Sequence, residues 1–193
     1  MPYVFKFYVD NTVVFKTELE SFQCIGMNRN HERCRRRCVI GENYCWTHLM
    51  SEKHLRILNS SIVNAGKGLF AMNPRAAPDA VIFKKGETIG EYLGERLTAA
   101  ETNERYGNHT APYAVELKKN VIIDAAGERG YASLCNEARK RSERNADLIS
   151  IFNTKPQRVV LRAVKDIKNR QEILTWYGND YEQDEWFTTR YVR

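Results

Sequence analysis

Long apolar runs are missing from this chain of 193 residues. None approaches the roughly 18 residues that a membrane-spanning helix needs, so a helical membrane protein is not expected. A secretory signal is missing as well. Met1-Pro2-Tyr3-Val4-Phe5-Lys6 is apolar but broken by Lys6, with no small-residue cleavage site, so an intracellular, unsecreted protein is expected. Proline (5) and glycine (11) are scarce, and no internal repeat or low-complexity tract is present, which excludes collagen-like and linker-like classes. Acidic residues are the minority: 24 Asp and Glu against 30 Lys and Arg leave a formal net charge of +6. That excess suits an acidic partner such as nucleic acid or chromatin, and equally an ordinary basic surface.

What is present suffices for a globular core. Hydrophobic residues make up 42% and charged residues 28%, so disulfide staples are not required. Four of the five cysteines crowd into residues 24–45, spaced Cys24-x9-Cys34-x10-Cys45-x2-His48 with Cys38 between. In a chain without a secretory signal this reads as a metal site. Zinc takes four soft or borderline ligands in a tetrahedron, and a closed set of Cys24, Cys34, Cys45 and His48 implies structural rather than catalytic zinc. Cys38 is a fifth candidate and leaves the ligand set ambiguous. The alternative is that these are buried free thiols. Arg33, Arg35, Arg36 and Arg37 lie on the same stretch. They are placed to touch DNA phosphates or an acidic nucleosome face, or simply form a solvated basic loop.

Residues 3–9 and 12–17 alternate as strands around Asp10-Asn11, a hairpin with a two-residue turn. Alone it would be marginal, so it is expected to pack on the rest of the chain. Short strand-like runs then recur at 55–58, 88–93, 113–117, 121–124, 148–152, 158–164 and 173–177. Helical signals are few; Thr98 and Glu101 form a capping box, and Gly107 can close that helix. The pattern predicts a mainly β fold with short helices, in three segments: a hairpin over 1–22, a zinc-binding module over 23–52 and a larger domain over 53–193.

Four segments carry the chemistry. Asn64-Ala65-Gly66-Lys67-Gly68-Leu69-Phe70-Ala71 is a glycine-containing turn after a strand; on its own a plain hairpin turn explains it, and the polar Ser60, Ser61 and Asn64 say nothing specific. The second segment is Glu91-Tyr92-Leu93-Gly94-Glu95. Then come Ser133-Leu134-Cys135-Asn136-Glu137-Ala138-Arg139, with Asn145-Ala146 close behind, and Glu172-Ile173-Leu174-Thr175-Trp176-Tyr177-Gly178-Asn179-Asp180-Tyr181. In this order and spacing they resemble the SET domain of protein lysine methyltransferases from about residue 55 to residue 181. The last two segments look most like the PR/SET branch and some viral SET proteins.

The resemblance implies a SET fold of small β-sheets around a knot-like C-terminal motif, with Gly178 to Tyr181 beside residues 131–138. It implies that Gly66, Lys67 and Gly68 hold the amino-acid end of S-adenosylmethionine. Asn136 binds the same cofactor, with Glu137 along the adenine, Leu134 and Cys135 in the same segment, and Tyr106 as a further contact. Tyr177 closes the active site. Tyr92 and Tyr113 wall a lysine channel, although packing is the ordinary role of tyrosines. Thr175 stands where a larger aromatic often limits the number of methyl groups, which hints at di- or trimethylation. Asp124-Ala125 also fits the pattern, in a structural role. Two departures stand out. Asn-His-Ser of many SET domains is Asn136-Glu137-Ala138 here, and no cysteine comes after Cys135 to build a zinc-binding tail. Trp186 or Phe187, next to Glu185, is the candidate cover for the adenine, or else plain core.

The implied reaction is an in-line methyl transfer from a sulfonium to a neutral amine, which needs alignment and a dry aromatic channel rather than a catalytic metal. A histone tail or nucleosome is the implied substrate, and the nucleus the implied location. The alternatives are lysine methylation of a non-histone protein, and a catalytically weak SET relative that binds chromatin.

Overall fold

The computed structural model describes residues 3–9, 12–19, 21–38, 42–107, 109–178 and 187–192. The expected hairpin is there. β1 (Tyr3–Val9) pairs antiparallel with β2 (Thr12–Leu19), and the turn residues Asp10 and Asn11 lie outside the described residues. Alternation along β1 turns Phe5 and Phe7 inward, both 0% exposed. They pack on Tyr106 and Ala126, so the hairpin shares a core with the larger domain.

The cysteine-rich stretch builds a small unit from β3 (Phe22–Gln23), β4 (Arg37–Cys38) and α1 (Trp46–Lys53). Beyond it, β5 (Leu55–Asn59) and β6 (Lys67–Ala71) form a hairpin around the Gly66 turn. Next in order come β7 (Val81–Phe83), β8 (Thr88–Glu91) and β9 (Glu95–Leu97). The capping box forms as expected and opens α2 (Ala99–Tyr106): the Glu101 amide donates to Thr98 Oγ1 at 3.2 Å and the Thr98 amide to Glu101 Oε2 at 2.7 Å. Gly107 closes it at φ +65.

The chain continues through β10 (Ala114–Lys118), β11 (Val121–Asp124), a 3-10 turn at Tyr131–Leu134, β12 (Asn136–Glu137) and a second 3-10 turn at Arg141–Glu143. It ends with β13 (Ala146–Ile151), β14 (Arg158–Ala163), β15 (Ile167–Lys168), β16 (Leu174–Thr175) and β17 (Phe187–Val192). β14 lies between β13 and β8. Its Val159, Val160 and Leu161 are all buried, as a central strand covered on both faces requires.

Two pairings position the site. β12 runs parallel to β16, with Asn136 opposite Leu174 and Glu137 opposite Thr175. The expected strand over 173–177 is only two residues long, because the Asn145 side chain takes over part of the ladder. Asn145 Oδ1 accepts from the Leu174 amide at 2.9 Å, and its Nδ2 donates to the Glu172 carbonyl at 2.8 Å. The second pairing joins the chain ends: β17 adds to the free edge of β1, with Val4 opposite Val192. No described helix is long and apolar enough to cross a membrane.

Candidate active site and metal centre

The glycine turn, Asn136 and Glu172 come together. Gly66 sits at φ +70, a left-handed conformation suited to glycine, with open space where a side chain would begin. Gly68 is needed for a different reason. A Cβ there would lie 2.1 Å from Glu172 Oε1 and 3.1 Å from Asn136 Nδ2, so any side chain would displace both groups. Asn136 Nδ2 donates to the Lys67 carbonyl at 2.9 Å and lies 3.3 Å from Glu172 Oε1.

Glu172 is 6% exposed and well supplied with donors. It accepts from Ser60 Oγ at 2.7 Å, the Ser61 amide at 2.7 Å and Ser61 Oγ at 2.5 Å. A buried carboxylate needs such donors to offset its lost hydration. The sequence motif contains Glu172 but assigned it no role, and Ser60 and Ser61 carried no specific signal. The available clue was an acidic residue heading the apolar run Ile173-Leu174.

Tyr177 stands across this cluster. Its hydroxyl donates to the Cys135 carbonyl at 2.9 Å, and its amide donates to Glu137 Oε1 at 3.1 Å. Residues 174–177 thus lie beside 135–138. Gly178 is the last described residue of its motif; Asn179, Asp180 and Tyr181 lie outside. Cys135 itself is inert: burial pushes its thiol far up, and the thiol donates to the Ile173 carbonyl at 2.9 Å. Leu134 is half-buried at the end of the 3-10 turn. Thr175 is 0% exposed, and its Oγ1 has no hydrogen-bond partner among the described residues.

Tyr92 and Tyr113 are tied together, the Tyr92 hydroxyl donating to the Tyr113 carbonyl at 2.9 Å. Tyr106 is not brought to this group. It is 0% exposed, stacks edge-on with Phe7 and Phe15, and gives its hydroxyl to Asp124 Oδ2 at 2.9 Å. Its position supports a core role rather than a cofactor contact. Glu185 and Trp186 lie outside the described residues, and Phe187 begins β17 opposite Val9.

The second cluster is Cys24, Cys34, Cys45 and His48, whose ligand atoms all lie within 4.8 Å of one another. Cys24 Sγ is 3.3 Å and Cys45 Sγ 3.5 Å from His48 Nδ1, and Cys34 Sγ is 4.0 Å from Cys45 Sγ. Tetrahedral zinc with bonds of about 2.0–2.3 Å separates its donors by about 3.5–3.8 Å, so the four residues fit that ion. His48 Nε2 lies 2.8 Å from the Met27 carbonyl, which can only accept. Nε2 therefore carries the proton, and bare Nδ1 faces the sulfurs as a ligand should. Burial opposes ionisation of Cys45, but hydrogen bonds from the His48 and Thr47 amides help bring its thiol down to about 6. Cys38 lies outside the four-atom group, and burial pushes it up to about 12.

The arginines expected to reach DNA are largely engaged within this module. Arg33 donates to the Cys24 and Gln23 carbonyls, each at 3.1 Å. Arg36 bonds the Thr47 hydroxyl, and Arg37 bonds Ser21 through both its hydroxyl and its carbonyl. Arg35 is exposed.

Residues 66–178, more than half of the chain, match the SET domain family. The chain belongs to that family. Its SET domain is similar to the H3 lysine-4 specific histone-lysine N-methyltransferases of Kluyveromyces lactis and Candida albicans, at 29% and 28% identity over 118 residues, or 61% of this chain. The chain spans only 11% of the length of each. Among solved structures it resembles Chaetomium thermophilum polycomb repressive complex 2 in an autoinhibited conformation bound to S-adenosylmethionine. The TM-score is 0.53 at 25% identity, over 68% of this chain and 16% of that one. An active polycomb repressive complex 2 in the stimulated state gives a TM-score of 0.54 at 26% identity, over 67% of this chain and 16% of that one. The hairpin of β1 and β2 and the Cys/His module both lie ahead of the matched SET residues.

Proposed function

We propose that this SET-domain chain is a protein-lysine N-methyltransferase that uses S-adenosylmethionine, with a histone tail as substrate and the nucleus as its place of action. The observation that carries the reading is the convergence of Tyr177, the Cys135 carbonyl, Asn136 and the Gly66 turn around the β12–β16 pair. Gly66, Lys67, Asn136 and Glu137 would hold the cofactor, with the backbone of Leu134 and Cys135. The open space at Gly66 and the half-buried Asn136 leave room for it. When bound, it supplies a methyl group on a sulfonium.

The chain's own residues supply the rest. The substrate amine must arrive neutral and stripped of water. Tyr92 and Tyr113 wall a channel that excludes water and steadies the ammonium by cation–π attraction until it loses its proton. The lysine ammonium gives its proton to solvent, and its nitrogen would then take the methyl as the carbon–sulfur bonding pair stays on sulfur; the product ammonium gives up a further proton to solvent only where another methyl is to follow. Tyr177 has committed its proton to the Cys135 carbonyl. Its role is to orient the amine and the polarised methyl through its oxygen, with alignment supplying much of the rate. Thr175 is small and buried, and its hydroxyl lacks a partner among the described residues, which suits a methylated amine or a water beside it better than a bulky aromatic would. That supports di- or trimethylation, and mass spectrometry finding only monomethyl product after long incubation would reject it.

The test is transfer of radiolabelled methyl from S-adenosylmethionine to mixed core histones and nucleosomes. Removing one hydroxyl contact to a partly charged group loses about 1.5–3 kcal/mol, so Tyr177→Phe should lower transfer roughly 10- to 150-fold. Label on other purified proteins but no histone would move the substrate to a non-histone protein. Absence of both labelling and cofactor binding would leave a chromatin-binding relative instead.

A further inference from the structure

We infer that the hairpin of β1 and β2, which lies outside the matched SET residues, is a positioning element of the active site: Phe5, together with Arg129, holds Tyr113 in place as a wall of the lysine channel. The inference rests on the methyltransferase reading above.

Tyr113 is gripped from several sides. Phe5 meets its ring edge-on, with centroids 5.7 Å apart at 75°. The Arg129 guanidinium carbon lies 3.9 Å from the Tyr113 centroid and 5.5 Å from that of Phe5. Arg129 is only 3% exposed, and a guanidinium stays charged even there. It is aimed by its own hydrogen bonds: Nε donates to the Ala125 carbonyl at 2.8 Å and Nη2 to the Ala126 carbonyl at 3.3 Å. The Ala125 amide donates in turn to the Tyr113 carbonyl at 2.9 Å. That carbonyl also accepts the Tyr92 hydroxyl at 2.9 Å. Phe5, Arg129, Tyr113 and Tyr92 thus form one continuous chain of contacts from the hairpin to the two proposed channel tyrosines.

The arrangement needs both the ring and the planar cation. A flat guanidinium stacks on an aromatic face in a way that a lysine ammonium does not. An edge-to-face aromatic pair sets ring orientation, which an aliphatic side chain of similar volume does not. Because misplacement by about 1 Å can lower a rate about 100-fold, loosening Tyr113 should be read mainly in turnover.

The matched control is Phe7. It sits on the same strand and is equally buried, but its described ring contacts are with Tyr106 and His109. Phe5→Leu and Phe7→Leu should therefore lower the melting temperature alike. Phe5→Leu should cut kcat on a lysine peptide roughly tenfold while leaving the calorimetric affinity for S-adenosylmethionine unchanged. Phe7→Leu should leave kcat within about twofold. Arg129→Lys, which keeps the charge and loses the stacking plane, should behave like Phe5→Leu. Equal kcat for Phe5→Leu and Phe7→Leu would overturn the inference and make the hairpin plain packing. Tyr113→Leu separates the layers. If wild type transfers methyl and Tyr113→Leu does so equally well, the channel assignment falls and the positioning role with it. If wild type transfers none to any substrate, the methyltransferase reading itself has failed.

Discussion

Glu42 shows what burial does to a single residue. It reaches from the Cys/His module to the SET domain, where a Cβ on Gly130 would lie 3.3 Å from its Oε1. Burial pushes its carboxyl from an ordinary 4.5 up to about 6; Lys53 pulls it back and Glu91 adds to the rise. The folded state therefore holds this proton more tightly than the unfolded chain does. The associated stability is present below about pH 4.5 and is lost as the pH rises through about 6. Glu42→Gln has no charge to bury, so at pH 7 it should be more stable than wild type by up to about 2 kcal/mol. At pH 4.5 most of that gap should be gone. Urea unfolding at the two pH values checks this, and an unchanging gap would mean that Glu42 buries no charge. Nothing in the sequence marked Glu42, because its shift depends on residues brought to it by folding. Tyr177 and Asn136 were legible because a recognisable motif surrounds each. Tyr106 shows the converse: its place in the pattern suggested a cofactor contact, and its burial in one cluster with Phe5 and Phe7 was not legible there.

At the scale of elements, local signals read well. The hairpin and the capped helix α2 are where alternation and the Thr98–Glu101 pair put them, since each is specified by neighbours in sequence. The Cys/His module was legible as a spacing, and the expected set of Cys24, Cys34, Cys45 and His48 is the one that gathers; Cys38, the fifth candidate, left that set ambiguous in sequence. Geometry separates them. The chain should hold about one zinc, as a closed four-ligand site requires. Cys38→Ala should keep it and Cys24→Ser should lose it, read by elemental analysis after dialysis. Equal loss in both variants would place Cys38 among the ligands. Since metal binding and folding are coupled in such modules, chelation should also unfold this part of the chain. The arginine run read equally as a DNA or nucleosome contact and as a solvated basic loop; Arg33, Arg36 and Arg37 bond within the module while staying exposed.

At the scale of the molecule, the proposed cofactor site joins parts far apart in sequence. Gly66 and Lys67 come from the β5–β6 turn, Asn136 from β12 and Tyr177 from just past β16. A ligand that binds such a site stabilises the folded state. Free S-adenosylmethionine at 100 times its Kd should add about 2.7 kcal/mol, or about 5–10 °C in melting temperature for a chain of this size. Asn136→Ala should abolish the shift, and an unchanged shift in that variant would move the cofactor elsewhere.

The sequence by itself determined the local elements, the family and the residue types of both candidate sites. Alternation, caps, ligand spacing and motif order are all written in neighbouring or regularly spaced residues. Only the tertiary structure decided which cysteines gather, that Glu172 knits Ser60, Ser61 and Asn136 together, and that β17 closes onto β1. It alone put Phe5 and Arg129 against Tyr113. These are contacts between segments up to the full chain length apart. They are set by which apolar faces bury one another and by which buried polar groups then need partners, and no short window of sequence contains both sides of such a pair.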